Sequence, residues 1–414
     1  MKKFILILIA VTIFCSSCNS TIGTIQTEFQ TNEAPTNAQT EIQTQEPTKD
    51  TVMKYLDNTY YKLKNDKELT IVYTGGSVTN GDGSTDRNTK SWAGLTTAWF
   101  QDHYPEADIK GVKAAIGGTG SYLASFRFES EIKPHEPDLL FIEFAINDAY
   151  NAQDYDSVVR TSETLVQKAY QLNPNIDIVY VLTFDEPRKI QNYVQLKAHM
   201  DVAKKYGLLY IKLSEPFYQM LYRTGTEFSD YFTDAVHPND EGYQFYASVI
   251  TEQLGKALSE VAQTPPQALH TVTLPNQILS KYPLMLNADM IYSDEIKLGT
   301  AYGWKHENNG YSWLGMRYNG RIFANTIGSK FTFTFEGTDF GIAYGIGTNM
   351  GILLCTVDGG TPVLIDAYKT YSNPKEAIVA WNLPYGEHTV EIELIGKNDA
   401  SDGSNFEIGA LLVN

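Results

Sequence analysis

The sequence predicts an α/β domain built on a parallel sheet, followed by an all-β domain. Three observations carry this reading. Between residues 53 and 260, nearly continuous apolar runs alternate with helical patterns. Strands that are apolar throughout and separated by helices belong to parallel sheets covered on both faces. From 283 to 414 the pattern changes to short runs divided by glycine turns, as in a β-sandwich or jelly roll. Between them, residues 260–283 carry Pro265, Pro266, Pro275 and Pro283 and read as a connection.

The elements follow in order. Residues 69–74 (LTIVYT) are a buried strand, 91–104 a helix and 109–116 a second strand. Residues 138–146 (DLLFIEFAI) are an almost unbroken apolar strand, followed by a helix over 157–171. A strand over 176–184, a helix over 194–206, a short strand over 208–213 and a helix over 240–258 complete the domain. In the C-terminal part, strands are expected over 330–335, 341–344, 351–357, 362–366, 377–381 and 388–395. Turns such as Asp358-Gly359-Gly360 separate them.

The N-terminus is a leader. Lys2 and Lys3 precede an apolar run from Phe4 to Phe14, too short to span a bilayer stably. The run ends in Cys15-Ser16-Ser17-Cys18, giving a signal peptide over 1–18 that resembles a bacterial lipobox. That resemblance implies cleavage before Cys18 and acylation of its thiol. Cys15 stands where the pattern usually has leucine, which leaves plain secretion as the alternative. Residues 19–52 are rich in Thr, Gln, Asn, Glu and Pro and read as a disordered spacer.

Composition excludes some functions. A formal net charge of −17, a pI near 4.8 and the lack of any Lys/Arg-rich run argue against nucleic-acid binding. Cys355 is the one cysteine in a folded region, so no internal disulfide is expected there. Neither a Cys/His zinc spacing nor an EF-hand loop can be drawn, and no cofactor or metal is expected.

The candidate chemistry lies at predicted strand ends, where ligands bind in open parallel sheets. Ser77 follows Gly75-Gly76 after the first strand, on a turn that exposes its hydroxyl. Gly117-Gly118 follow the second strand, and an amide there can face a developing oxyanion. Asn147 closes the third strand and its side chain can donate to the same oxygen, while Asp148 caps or holds that loop. Asp234 and His237 precede the last helix, three residues apart, so the carboxylate can meet one imidazole nitrogen while the other faces the serine. Each segment alone reads as an ordinary turn or cap.

Together the four segments resemble the SGNH hydrolases, the GDSL esterase/lipase superfamily, over residues 69–255. Ser77 matches the first block, Gly118 the second, Asn147 the third, and His237 with Asp234 the last. The first block reads Gly-Gly-Ser-Val in place of Gly-Asp-Ser-Leu, and Gly117 competes with Gly118 in the second. The resemblance implies a flavodoxin-like three-layer α/β/α fold and ester hydrolysis without metal or cofactor. The catalytic residues would be Ser77, Asp234 and His237, with an oxyanion hole of Ser77, Gly118 and Asn147.

The β-rich second part is similar to the jelly-roll module that accompanies the SGNH domain in family-two carbohydrate esterases, although there it usually precedes the catalytic domain. Its recognisable stretches are Phe335-Glu336-Gly337-Thr338 and residues 383–389 (LPYGEHT). This similarity implies deacetylation of an acetylated polysaccharide such as xylan, with a membrane involved only through the lipid anchor. Trp304, Tyr311, Trp313 and Trp381 are candidates for stacking on sugar rings, against the reading that they pack the core. The loop Asp185-Glu186-Pro187-Arg188 is a candidate site wall. Alternative activities are a lipase or lysophospholipase, an O-acetyltransferase with the same triad, or a glycan-binding lipoprotein with an inactive hydrolase fold.

Overall fold

The computed structural model describes residues 55–187, 193–308 and 318–414. The leader, Cys18 and the 19–52 spacer lie outside the described residues, as do Arg188, Tyr311 and Trp313.

Five strands, β1 (Glu68–Gly75), β2 (Asp108–Ala115), β3 (Leu139–Glu143), β4 (Asp177–Leu182) and β5 (Leu209–Lys212), form one parallel sheet. Their order, β2-β1-β3-β4-β5, is the flavodoxin-like one. The helices are α1 (Asp57–Tyr61), α2 (Ser77–Asn80), α3 (Trp92–His103), α4 (Ser121–Arg127), α5 (Ala145–Tyr150), α6 (Tyr155–Leu172), α7 (Val194–Lys205), α8 (Ser214–Thr224) and α9 (Asp240–Gln263).

The period of two in β1 assigns the layers. Leu69, Ile71 and Tyr73 point into one core with Trp92 and Phe100 of α3, Phe217 of α8 and Tyr243, Tyr246 and Ile250 of α9. Val72 points to the opposite core, with Ala124 of α4, Leu165 and Val166 of α6 and Val202 of α7. Both faces are covered, so β3 is buried at every position and shows no polar alternation. The three-layer arrangement expected from the sequence is therefore present.

The C-terminal strands are β6 (Asp289–Tyr292), β7 (Lys305–Glu307), β8 (Arg321–Ala324), β9 (Lys330–Gly337), β10 (Phe340–Ile346), β11 (Gly351–Val357), β12 (Val363–Asp366), β13 (Asn373–Ala380), β14 (Gly386–Lys397) and β15 (Phe406–Val413). They form two antiparallel sheets, β13-β10-β15-β8-β7 with β6 also on β15, and β12-β11-β14-β9. Phe331, Leu353, Val390 and Ile392 of one sheet pack on Ile342, Ile346, Phe406 and Ile408 of the other, which makes an all-β sandwich.

The sequence reading missed the central strand β15. Its sequence, FEIGALLV, is buried at seven of eight positions and lacks the alternation that marks a half-exposed strand. The reason is double coverage. Ile408 faces the sandwich core, whereas Ala410 and Leu412 meet Tyr122 and Phe126 of α4 from the α/β domain. The short helices α2, α4 and α5, and the longer α8, were also not foreseen.

Residues 264–285 cross between the two parts without a helix or strand. The backbone amides of Leu279 and Ser280 both donate to the buried Glu163 carboxylate of α6, each at 2.7 Å. The two parts therefore meet along α4 and α6, which brings the edge strand β13 beside the carboxyl ends of β1 and β3. Among the described residues no helix is long and apolar enough to cross a membrane.

Candidate active site

Gly75 ends β1, and the chain turns at once into α2, so Ser77 stands above the sheet at the β1/β3 switch point. The turn needs glycine at 76. A Cβ there would lie 2.2 Å from Asn147 Oδ1, so only an absent side chain lets the asparagine amide approach the nucleophile turn. Asn147 itself stands on α5, directly beyond β3. Both Ser77 and Asn147 are largely buried.

His237 Nε2 is 2.8 Å from Ser77 Oγ, and His237 Nδ1 is 2.7 Å from Asp234 Oδ2. The other Asp234 oxygen accepts from the backbone amides of Val236 and His237, both at 2.8 Å. Partial burial pushes the Asp234 carboxyl up, but the ring and amide hydrogen bonds outweigh it and hold the pKa below the ordinary carboxylate value. An ionised aspartate at Nδ1 keeps the proton there and leaves Nε2 as the acceptor for a hydroxyl proton.

The loop bearing this pair is held on several sides. His237 O accepts from Thr233 N at 2.9 Å, Ala235 O accepts from Glu186 N at 2.9 Å, and the Asn239 side chain caps α9 through Gly242 N at 3.0 Å. The Glu186 contact is the role of the described part of the expected site wall, residues 185–187. It braces the histidine loop, and Asp185 is fully buried.

Gly118 adopts φ +78° and lines the same pocket, beside Gly117. Asp148 organises this side. Its carboxylate accepts from Ser121 N at 2.8 Å, Ser121 Oγ at 2.7 Å and His199 Nε2 at 2.8 Å, all buried. One aspartate therefore ties the Asn147 helix to the start of α4, just beyond the glycine loop. Beneath Ser77, Glu143 accepts from Thr79 Oγ1 at 2.8 Å and Thr183 Oγ1 at 2.6 Å. Burial raises its pKa to about 7, against the lowering effect of these donors and of the Gly76 amide.

The pocket has a volume of about 330 Å³. Its walls include Ser77, Gly118, Asn147 and His237, so the structure brings these residues together, with Asp234 behind the histidine. Asp82 also lines it, accepting from Asn80 Nδ2 at 2.7 Å and paired with Arg87 at 3.0 Å. Three further wall residues come from the sandwich: Tyr371, Asn373 and Lys375. The exposed aromatics at the rim are Tyr150 and Tyr371.

Of the expected sugar-stacking residues, the described Trp304 and Trp381 lie elsewhere. Trp304 is buried in the sandwich core against Phe331, and Trp381 lies under the Arg160 guanidinium at 4.6 Å. Among the described residues no group of three or more His, Cys, Asp or Glu is arranged to hold a metal ion.

Residues 74–245 match the model of the GDSL-like Lipase/Acylhydrolase family. The match lies within the α/β part and spans the segments that bear Ser77, Asn147, Asp234 and His237. Two crystal structures of a two-domain esterase (CEX) active on acetylated mannans are similar to the chain as a whole. One has 22% identity and a TM-score of 0.75, covering 87% of this chain and 96% of that one. The other, co-crystallised with mannopentaose, has 22% identity and a TM-score of 0.73, covering 87% and 95%. The likeness extends the GDSL domain to a shared two-domain fold, with the β-sandwich after the hydrolase domain. No curated protein sequence matches the chain.

Proposed function

We propose that this protein is an exported serine esterase that removes O-acetyl groups from polysaccharides. The observation that carries the reading is the position of His237, hydrogen-bonded to Asp234 on one nitrogen and to Ser77 on the other. His237 takes the Ser77 proton as Oγ attacks the ester carbonyl. The Ser77 and Gly118 amides and the Asn147 side chain receive the oxyanion. The carbonyl then reforms, the alkoxy group leaves with the proton from His237, and an acetyl-serine remains. Water activated by His237 hydrolyses it and returns the enzyme.

The polysaccharide part rests on two supports. The pocket is partly walled by a second, β-sandwich domain, with Tyr150 and Tyr371 exposed at its rim. The similar two-domain esterase acts on acetylated mannans. Export, with Cys18 as the site of lipid attachment, is proposed from the leader alone.

The test is acetate release from acetylated mannan and xylan, beside p-nitrophenyl esters of rising chain length. Activity should concentrate on acetyl esters and disappear in S77A. Turnover that survives S77A would remove the serine from the mechanism, and a preference for long acyl chains would favour a lipase. Membrane association lost in C18A supports the anchor; retention counts against it.

A further inference from the structure

The β-sandwich does more than wall the pocket. On β13, Glu376 is half-buried, and its Oε1 accepts from Asn151 Nδ2 at 2.9 Å and from Gly120 N at 3.3 Å. These donors belong to the two segments that would carry the oxyanion donors. Gly120 lies two residues beyond Gly118. Asn151 caps the end of α5, with its amide 2.8 Å from Asn147 O. The neighbouring Lys375 donates to Asn151 Oδ1 at 2.6 Å, so both ends of that side-chain amide are held from β13. Asn373, at the start of the same strand, presses on Gly118: a Cβ on Gly118 would lie 2.2 Å from Asn373 Nδ2.

We infer that Glu376 is a positioning residue for the oxyanion hole, reaching in from the β-sandwich to fix the Gly118 loop and the Asn147 helix at their working separation. The inference rests on the esterase reading above. Within the hydrolase domain Asp148 already joins the Asn147 helix to Ser121. Glu376 adds a second tie at the adjacent residue, Gly120, from a strand that belongs to another sheet. Two ties at separate atoms remove the rotation that one tie allows. Misplacing a donor by about 1 Å can cost roughly a hundredfold in rate.

The experiment compares E376M and E376Q in the full chain, with p-nitrophenyl acetate as the probe. Methionine keeps the side-chain volume and removes the acceptor; glutamine keeps an acceptor at Oε1. E376M should lose up to about a hundredfold in kcat with KM unchanged, because the donors act on the transition state. E376Q should restore most of that loss, which a purely space-filling role would not require. A folded E376M with wild-type kcat, or E376Q as impaired as E376M, overturns the inference. Should E376M not fold, N151A removes the α5 end of the bridge. A lowered kcat at unchanged KM then supports the inference and an unchanged kcat sinks it. Wild-type hydrolysis that S77A abolishes keeps the esterase reading intact in every case; no hydrolysis by the wild type defeats that reading first.

Discussion

Arg160 and Asp339 form a two-pronged ion pair across the boundary between the hydrolase domain and the sandwich, with both side chains fully buried. Nη1 and Nη2 donate to the two carboxylate oxygens at 2.7 and 2.9 Å, and Nε donates to Pro283 O at 2.6 Å. Burial pushes the Asp339 carboxyl up, but Arg160 outweighs it and the net shift is downward. Removing one partner strands the other charge. D339A should therefore cost about 3–5 kcal/mol by urea denaturation, whereas the double variant R160M/D339L should recover most of that loss. Equal losses in the single and double variants would show that the stranded Arg160 charge is not the source of the loss.

Asp234 is expected to act by fixing the His237 tautomer. D234N keeps the side-chain volume but can donate to Nδ1, which moves the ring proton to Nε2 and blocks its use as a base. Steady-state kinetics on p-nitrophenyl acetate should show kcat reduced by about 10⁴-fold in D234N. A loss of only a few-fold would mean that another group orients the histidine.

In the proposed mechanism Asn147 Nδ2 donates to the oxyanion. N147A should lower kcat by about 10²–10³-fold and leave KM nearly constant, since a donor aimed at developing charge contributes to the transition state. Should KM rise while kcat holds, Asn147 binds substrate instead.

Glu143 makes stability depend on pH. Its pKa is about 7 in the fold, against an ordinary value of 4.5. The folded state then holds the proton more tightly than the unfolded chain. Stability is greatest below the unfolded value and falls as pH rises through the window from 4.5 to about 7. E143Q, which can accept from one of Thr79 and Thr183 and donate to the other, should remove that decline. The difference between variants should approach about 3 kcal/mol above pH 7, read from urea midpoints at pH 5 and pH 8. Parallel pH curves for the two proteins would contradict it.

How much of this was legible before folding depends on the distance over which each signal acts. The strands β1 and β3 were readable because burial on both faces writes a continuous apolar run into the sequence. The same double burial concealed β15, where an apolar run stood among alternating strands and gave no period to recognise. Gly75-Gly76-Ser77 and the Asp234–His237 loop were visible because turn chemistry and a three-residue spacing are local.

Glu376, Asn373 and Lys375 offered no such signal. They lie about 140 residues beyond His237, in a strand whose residue types are ordinary for a half-exposed edge. Their meaning comes from packing. The α4 face bearing Tyr122 and Phe126 seats the six-stranded sheet, and that seat sets β13 over Gly118, Gly120 and Asn151. The sequence by itself determined the two fold classes and the four candidate segments for the chemistry, because local conformation and hydrophobic period suffice for both. The tertiary structure alone decided which residues wall the pocket and which carboxylate ties its two sides together, because those contacts arise only when two separately patterned domains bury a common face.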